Sequence, residues 1–180
     1  ISAGTGNKIG TPSTTTYQQD YAVFVTDAAG NPVQGVTVTA SVWPTRYAKG
    51  FYTFNSAAKL WVQTVNATCP NEDGNKNGIL DAAEDTNNNT VLDPGLPATI
   101  SSSSTTDANG TATISLLYPR DRAGWIEAQV TIRGSVSGTE SAYITTPYIL
   151  PGSSADFSDE KSPPPGIISP YGTNACNVAN

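Results

Sequence analysis

The chain has 180 residues, of which 37% are hydrophobic and 13% charged, with no histidine and no methionine. This length suits one well-cored domain with elaborations, and the wealth of Thr, Ser, Asn and Gly is typical of a secreted, β-rich protein. No apolar run approaches the ~20 residues of a membrane span. The net charge of −6 without a basic stripe disfavours nucleic acid as a partner. The opening residues, ISAGTGNKIG, contain no signal peptide and are typical of a mature or processed N-terminus.

Along most of the chain, alternating apolar and polar residues predict short β-strands. Gly-, Asn- and Pro-containing turns separate them about every ten residues. About eight strands are predicted, with no helix longer than a turn or two, which favours a two-sheet antiparallel sandwich over a barrel. The predicted segments are TTYQQDYAVFVTD, VQGVTVTASVW, TRYAKGFYTF, KLWVQTVNAT, ATISSSSTT, ATISLLYP, GWIEAQVTI and GTESAYITTPYIL.

These strands predict a single domain with an appendage at each end. Residues 1–14 are expected to form an extended N-terminal segment and residues 15–150 the sandwich. Residues 69–96 are expected to form a long insert within the sandwich. Residues 151–180 are rich in Pro and Ser and hold too few apolar groups for a core of their own. They are predicted to form a tail packed on the domain.

The insert concentrates negative charge. Residues 71–95 hold six acidic side chains against Lys76 alone, a local charge of −5. Because the whole chain carries −6, the other 155 residues sum to −1. A solvated acidic surface would spread its charge, so this concentration indicates a place for a cation.

The residue order from Asp73 to Glu84 fits a twelve-residue calcium loop of the EF-hand kind. Gly78 stands where such a loop turns sharply, and Leu80 is the apolar residue expected to fix the loop to a core. Calcium is preferred to magnesium because the loop offers a full protein cage, whereas Mg²⁺ usually keeps several waters. An ion-free loop rich in Asn and Gly is the alternative. The predicted ligands are Asp73, Asn75, Asn77, the Ile79 carbonyl, Asp81 and Glu84.

A second copy begins twelve residues later, but it is imperfect. Thr90 replaces the turn glycine, and Leu96 stands where a glutamate should close the site. The ligands are therefore short by a carboxylate unless Glu84 or another group is shared. Asn- and Asp-rich turns without an ion are the alternative reading. The predicted ligands of this second calcium are Asp85, Asn87, Asn89, the Val91 carbonyl and Asp93.

The two cysteines are Cys69, just before the insert's acidic part, and Cys176, in the tail. Without histidine or a CxxC motif they cannot make a zinc site by themselves. Two free thiols in a cytosolic protein are one reading. In an exported chain we expect a disulfide between them, which would fasten the tail to the root of the insert.

Two segments resemble bacterial immunoglobulin-like domains of the invasin/intimin (group 1) type. They are VFVTDAAGNPVQGVTVTA at 23–40 and STTDANGTATISL at 104–116, each with a Gly-containing turn between alternating strands. The insert, with TDANG, the YPRD and GWIEA segments and the PYG of the tail, is also similar to bacterial Ig-like proteins of poorly defined role. The resemblance implies an all-β, Ig-like antiparallel sandwich, with the calcium-binding insertion and extended tail as departures from the family pattern.

The expected function is a non-catalytic, extracellular or cell-surface module, structural or adhesive, in a bacterial surface protein or filament. Its partners would be neighbouring subunits and, in a second reading, glycans. An enzyme is disfavoured because a chain without histidine excludes His-dependent triads, and acids such as Asp121 and Glu127 are more often solvated than a glycosidase pair. A carbohydrate-binding module is the alternative, with a sugar-stacking platform drawn from Trp43, Tyr47, Phe51, Tyr52, Trp61, Tyr118 and Trp125.

Overall fold

The computed structural model describes residues 1–101 and 103–179, so Ser102 in the predicted sandwich and Asn180 in the predicted tail lie outside the described residues. Two 3-10 helices, Arg120–Arg122 and Ser154–Phe157, are its helical elements there. The predicted all-β class is confirmed. The strands are β1 (Ser2–Thr5), β2 (Thr16–Phe24), β3 (Thr37–Asn55), β4 (Leu60–Pro70), β5 (Thr99–Ile100), β6 (Ser103–Thr105), β7 (Thr111–Pro119), β8 (Ile126–Val136), β9 (Thr139–Ile144) and β10 (Tyr148–Ile149).

The strands form two antiparallel sheets packed as a sandwich. One sheet has the order β1-β2-β7-β5 and the other the order β10-β8-β3-β4, with β6 added on β3 and β9 on β8. Buried and exposed residues alternate along β2, β7 and β8, as expected for strands with one face on a core. The fully buried side chains of the core include Tyr17, Tyr21, Val23, Val38, Tyr47, Ile114, Leu116, Tyr118, Trp125, Ile126 and Ile132.

Strand β3 is longer than the sequence predicts. VQGVTVTASVW and TRYAKGFYTF were expected to be separate strands, but the structure joins most of both into one strand of 19 residues. The strand pairing shifts register at two places, between Pro44 and Arg46 and between Lys49 and Gly50. These shifts let the strand continue where the sequence predicted an interruption. Pro44 has no N–H for a ladder bond, and such an irregularity accommodates it without ending the strand.

The tail returns across the six-stranded sheet. At the second irregularity the N–H of Gly50 donates to the carbonyl of Gly172 at 3.0 Å, and the N–H of Ser169 donates to the Gly50 carbonyl at 2.9 Å. The indole N–H of Trp125 donates to the Gly166 carbonyl at 2.8 Å. The irregularity in β3 therefore leaves backbone groups free for the tail, and the tail covers one side of the core.

The acidic insert begins where β4 ends. Asn71 fixes its first residue to β3, because its N–H donates to the Thr45 carbonyl at 3.1 Å and its Nδ2 donates to the Pro44 carbonyl at 2.7 Å. The chain returns to the small sheet at β5. The candidate site therefore lies at one end of the sandwich, beside the middle of β3.

Candidate metal centre

The first loop (73–84) is wound around the side chains of its early residues. The Asp73 carboxylate accepts hydrogen bonds from the N–H groups of Asn77 at 3.0 Å and Gly78 at 2.9 Å. The Asn75 and Asn77 side-chain oxygens accept from the N–H groups two residues on, at 3.0 and 2.7 Å. These are Asx-type turns, and they bring three of the predicted ligand side chains to one side of the chain.

Glu84 closes the first loop. Its Oε1 accepts from the N–H of Gly74 at 3.0 Å, and its Oε2 accepts from the N–H of Asp81 at 3.2 Å. The amide nitrogens of Asn75 and Asn77 both donate to Asp81 Oδ2, at 2.7 and 3.0 Å. The structure thus brings together the side chains of all five residues predicted to bind through side chains in this loop.

The second loop (85–96) repeats most of the hydrogen bonds of the first. Asp85 accepts from the N–H groups of Asn89 and Thr90, at 3.0 and 2.9 Å, as Asp73 does from the equivalent residues. The Asn89 side-chain oxygen accepts from the Val91 N–H at 2.7 Å. The amide nitrogens of Asn87 and Asn89 both donate to Asp93 Oδ2 at 2.9 Å. The twelve-residue repeat in the sequence therefore gives two loops of the same conformation.

Thr90 does not disturb this conformation. It has a φ of +63°, close to the +75° of Gly78 at the same position of the first loop. Lys76 and Asn88, two residues earlier in each loop, also match, with φ of +63° and +58°. A β-branched residue is rare in the left-handed region, so the surrounding bonds hold Thr90 there against its preference.

The second loop is closed by a residue that the sequence analysis left out of both ligand sets. Leu96 is 62% exposed and supplies no carboxylate. Glu72 takes this role: its Oε1 accepts from the Thr86 N–H at 3.1 Å and its Oε2 accepts from the Asp93 N–H at 2.9 Å. The signal was present in the sequence, because a Glu–Asp pair recurs at a spacing of twelve as Glu72–Asp73 and Glu84–Asp85.

Three of the six acidic side chains of the insert are buried, and none of these three forms an ion pair among the described residues. Asp81 is exposed, and Glu84 and Asp85 are half-buried. Glu72 and Asp73 are each 5% exposed and Asp93 is 7% exposed. The ion pairs among the described residues involve other acids, and Lys76 lies over the ring of Trp43, 5.2 Å from its centre. Because a buried, unpaired carboxylate is costly, these side chains call for more positive charge than the single buried ammonium of Lys49, which lies near Asp93 and Glu72 without forming an ion pair with them.

Two buried residues of β3 face the second loop. Burial lowers the pKa of Lys49, and the negative charges of Asp93 and Glu72 oppose that change. Its ammonium group donates to the tail carbonyls of Ala175, at 3.3 Å, and Val178. Burial raises the pKa of Tyr47 to about 12, and the charge of Glu72 adds to the increase. Asn87 lies near the Tyr47 hydroxyl and opposes this increase, but no hydrogen bond of normal geometry reaches that hydroxyl from the described residues.

The donor set fits a hard cation only if oxygens other than carboxylates take part. In the described part of the chain, no three Asp, Glu, Cys or His side chains form a metal-holding group by themselves. Each loop instead offers carboxylates and asparagine oxygens, to which the predicted backbone carbonyl of Ile79 or Val91 would add, and this is a donor mixture that Ca²⁺ accepts. In this structure the asparagine amide groups donate hydrogen bonds to the carboxylates of Asp81 and Asp93. A bound cation would instead supply positive charge to these two carboxylates.

The remaining candidate residues differ in exposure and in their partners. Of the seven aromatic residues, Tyr47, Tyr52, Tyr118 and Trp125 are buried in the core and cannot form an exposed sugar-stacking platform. Trp43, Phe51 and Trp61 are half-buried. Asp121 lies 3.9 Å from Arg122, and Glu127 accepts a hydrogen bond from the Thr45 hydroxyl at 2.7 Å.

The predicted disulfide is confirmed. Cys69 and Cys176 are bonded, with Cα atoms 5.5 Å apart. Cys69 is opposite Tyr47 in the β3–β4 register, so the bond fastens the tail at the root of the acidic insert. The tail and the candidate centre therefore share one end of the sandwich.

Comparisons with known proteins do not identify the chain. No protein-family model matches it, and no curated protein or solved structure is significantly similar. Within the described residues, no helix is long and apolar enough to span a membrane.

Proposed function

We propose that this chain is a non-catalytic, extracellular Ig-like module of a bacterial surface protein or filament, and that calcium bound in the two loops stabilises it. One observation carries the calcium: carboxylates more than nine-tenths buried lie in two matching oxygen-rich loops without a lysine or arginine paired to them among the described residues. A divalent cation would supply the missing charge. Two ions would change the local charge from −5 to about −1.

The residues that would hold the first ion are Asp73, Asn75, Asn77, Asp81 and Glu84, together with the Ile79 carbonyl. Ca²⁺ suits them because it takes six to eight oxygens in flexible geometry, whereas Mg²⁺ demands a small octahedron and keeps its waters. The ion would replace the hydrophobic core that the insert lacks, since Ile79 is 63% exposed and Leu80 only half-buried.

The proposed role in bearing tension rests on the position of the contacts that hold the tail and the insert to the domain. The disulfide, the Lys49 contacts and the acidic loops all hold the same end of the sandwich. A disulfide of this kind persists in an oxidising exterior, and metal-ordered loops resist proteases that need mobile chain. Such fastening suits a module that transmits tension between neighbouring subunits of a surface assembly, its proposed partners.

Thermal unfolding tests the calcium part of this proposal. At a calcium concentration about 100 times Kd, each occupied site adds about 2.7 kcal/mol. For a chain of this size that corresponds to roughly 5–11 °C per site. We expect this increase with calcium, a much smaller one with magnesium, and reversal by a chelator. Equal melting temperatures with calcium and with chelator would overturn the proposal.

A matched pair of variants gives the control. Glu84→Gln removes the charge that closes the first loop and should abolish much of the calcium effect. Glu160→Gln changes the same residue type at an exposed position of the tail, and it should leave the effect unchanged. Co-purification from the surface of the source cells tests the assembly part, since recovery of this chain solely in the cytosolic fraction would contradict it.

A further inference from the structure

We propose that the two loops form one interlocked pair, in which Glu84 closes the first loop, Glu72 closes the second, and the two calcium ions bind with positive cooperativity. This inference rests on the proposed function, because it concerns the same calcium centre. It adds a ligand to the second site and a coupling between the sites.

The first observation is the equivalence of the two glutamates. Glu84 contacts the N–H groups of the second and ninth residues of the first loop, Gly74 and Asp81. Glu72 contacts the N–H groups of the second and ninth residues of the other loop, Thr86 and Asp93. Glu72 therefore occupies in the second loop the place that the closing glutamate occupies in the first.

The second observation is independent of these bonds and points to a missing cation. Glu72 and Asp93 are 5% and 7% exposed, and neither takes part in an ion pair among the described residues. The hydroxyl of Tyr47, a residue 1% exposed, lies within electrostatic reach of both carboxylates and near Asn87, and no hydrogen bond of normal geometry reaches it from the described residues. A cation bound here would neutralise the two buried carboxylates, and a water molecule on that cation would give the Tyr47 hydroxyl a hydrogen-bond partner.

The coupling follows from the order of the residues along the chain. Glu72 precedes Asp73, the first residue of the first loop, and Glu84 precedes Asp85, the first residue of the second. Each Glu–Asp pair therefore serves both loops, the Asp at the start of one and the Glu at the close of the other. An ion that orders one loop fixes the backbone of the glutamate that the other ion needs, which makes the second binding event easier.

Calorimetric calcium titration of the full chain, freed of metal with a chelator and with its disulfide intact, tests the inference. We expect two ions per chain and a coupling of about 5- to 150-fold between them. Glu72→Gln should weaken the second site by at least about tenfold and reduce the affinity of the first as well. Glu72→Asp keeps the charge but shortens the reach, so it should resemble Glu72→Gln if Glu72 is a ligand. Glu160→Gln is the control.

Terbium luminescence excited through tryptophan alone reports the first loop, because Lys76 of that loop lies over the ring of Trp43, whereas the aromatic residue near the second loop is Tyr47. Excitation through Trp43 should show weaker terbium binding in Glu72→Gln, although the substitution lies outside the first loop's ligand set. If Glu72→Gln does not fold, as far-UV circular dichroism would show, Asp85→Asn tests the same coupling from the second loop.

The outcomes separate the two proposals. Two ions in the unaltered chain, with both affinities unchanged in Glu72→Gln and Glu72→Asp, would overturn the interlocked pair and leave the calcium proposal standing. Affinity lost in Glu72→Gln but kept in Glu72→Asp would show that the charge alone matters, which also overturns the ligand role. No calcium binding by the unaltered chain would overturn both.

Discussion

Removal of the Cys69–Cys176 disulfide should lower stability by a large and calculable amount. The two cysteines are 107 residues apart, so the bond closes most of the chain into a loop. The chain-entropy estimate for a closure of this length is about 4.8 kcal/mol at 25 °C. For a chain of this size, each kcal/mol corresponds to about 2–4 °C, so the upper limit of the expected fall is roughly 10–20 °C.

The native tail should stay in place without the disulfide, because other contacts also hold it. Lys49 donates to two carbonyls near Cys176, and the backbone of Gly50 is bonded to Gly172 and Ser169. These contacts keep the native tail in place after the bond is removed. They do not restrict the unfolded chain, on which a disulfide mainly acts. The entropic effect should therefore remain, and only strain in the native bond and residual structure in the unfolded chain reduce it, so we expect a fall of about half the upper limit or more.

Calorimetric melting of three samples measures it: the oxidised chain, the reduced chain, and the variant with Cys69→Ala and Cys176→Ala. Cys69 is 1% exposed, so alanine there also leaves a small cavity, and the reduced chain controls for that loss of volume. Both modified samples should melt at least about 5 °C below the oxidised chain. Melting within about 2 °C of the oxidised chain in both would refute the idea that the bond constrains the unfolded state.

Three further predictions follow from single groups. Lys49→Met should cost about 1–3 kcal/mol, because two tail carbonyls lose their donor, and hydrogen exchange in the tail should become faster; unchanged exchange would contradict this. Thr90→Gly should stabilise the chain by about 1 kcal/mol in chemical unfolding, because it relieves a left-handed β-branched residue; a loss of stability would count against the strain. Burial raises the pKa of Tyr47 and Tyr52 to about 12. Their contribution to stability should therefore be complete below pH 10 and lost as the pH rises toward 12, a fall that unfolding followed against pH would detect.

The ligands of the first loop could be predicted because they are local. Asp73 to Glu84 are held by contacts between residues at most ten apart, so their spacing in the sequence already encodes the geometry. Glu72 could not be placed by the same reasoning, because it reaches Asp93, 21 residues away, through the fold of both loops together. Only the repeat of the Glu–Asp pair hinted at it.

In the sheets, too, features set by neighbouring residues could be predicted, and features set by contacts between distant residues could not. Alternation predicted the strands, but it could not show that β3 continues past Pro44, since the neighbouring strands supply the register irregularity that permits it. It also could not show that the tail covers Trp125, because the bond to Gly166 joins residues 41 apart. The disulfide was predictable for a simpler reason, since two cysteines allow one pairing.

The position of bound calcium is the most direct test of the central claim that the paired loops form a metal centre. Crystals grown in calcium, with diffraction recorded at a long wavelength, would locate the ions by their anomalous scattering. We predict two peaks, each about 2.3–2.6 Å from carboxylate oxygens, one beside Glu84 and the other beside Glu72. The absence of a peak in both loops at millimolar calcium would contradict the account.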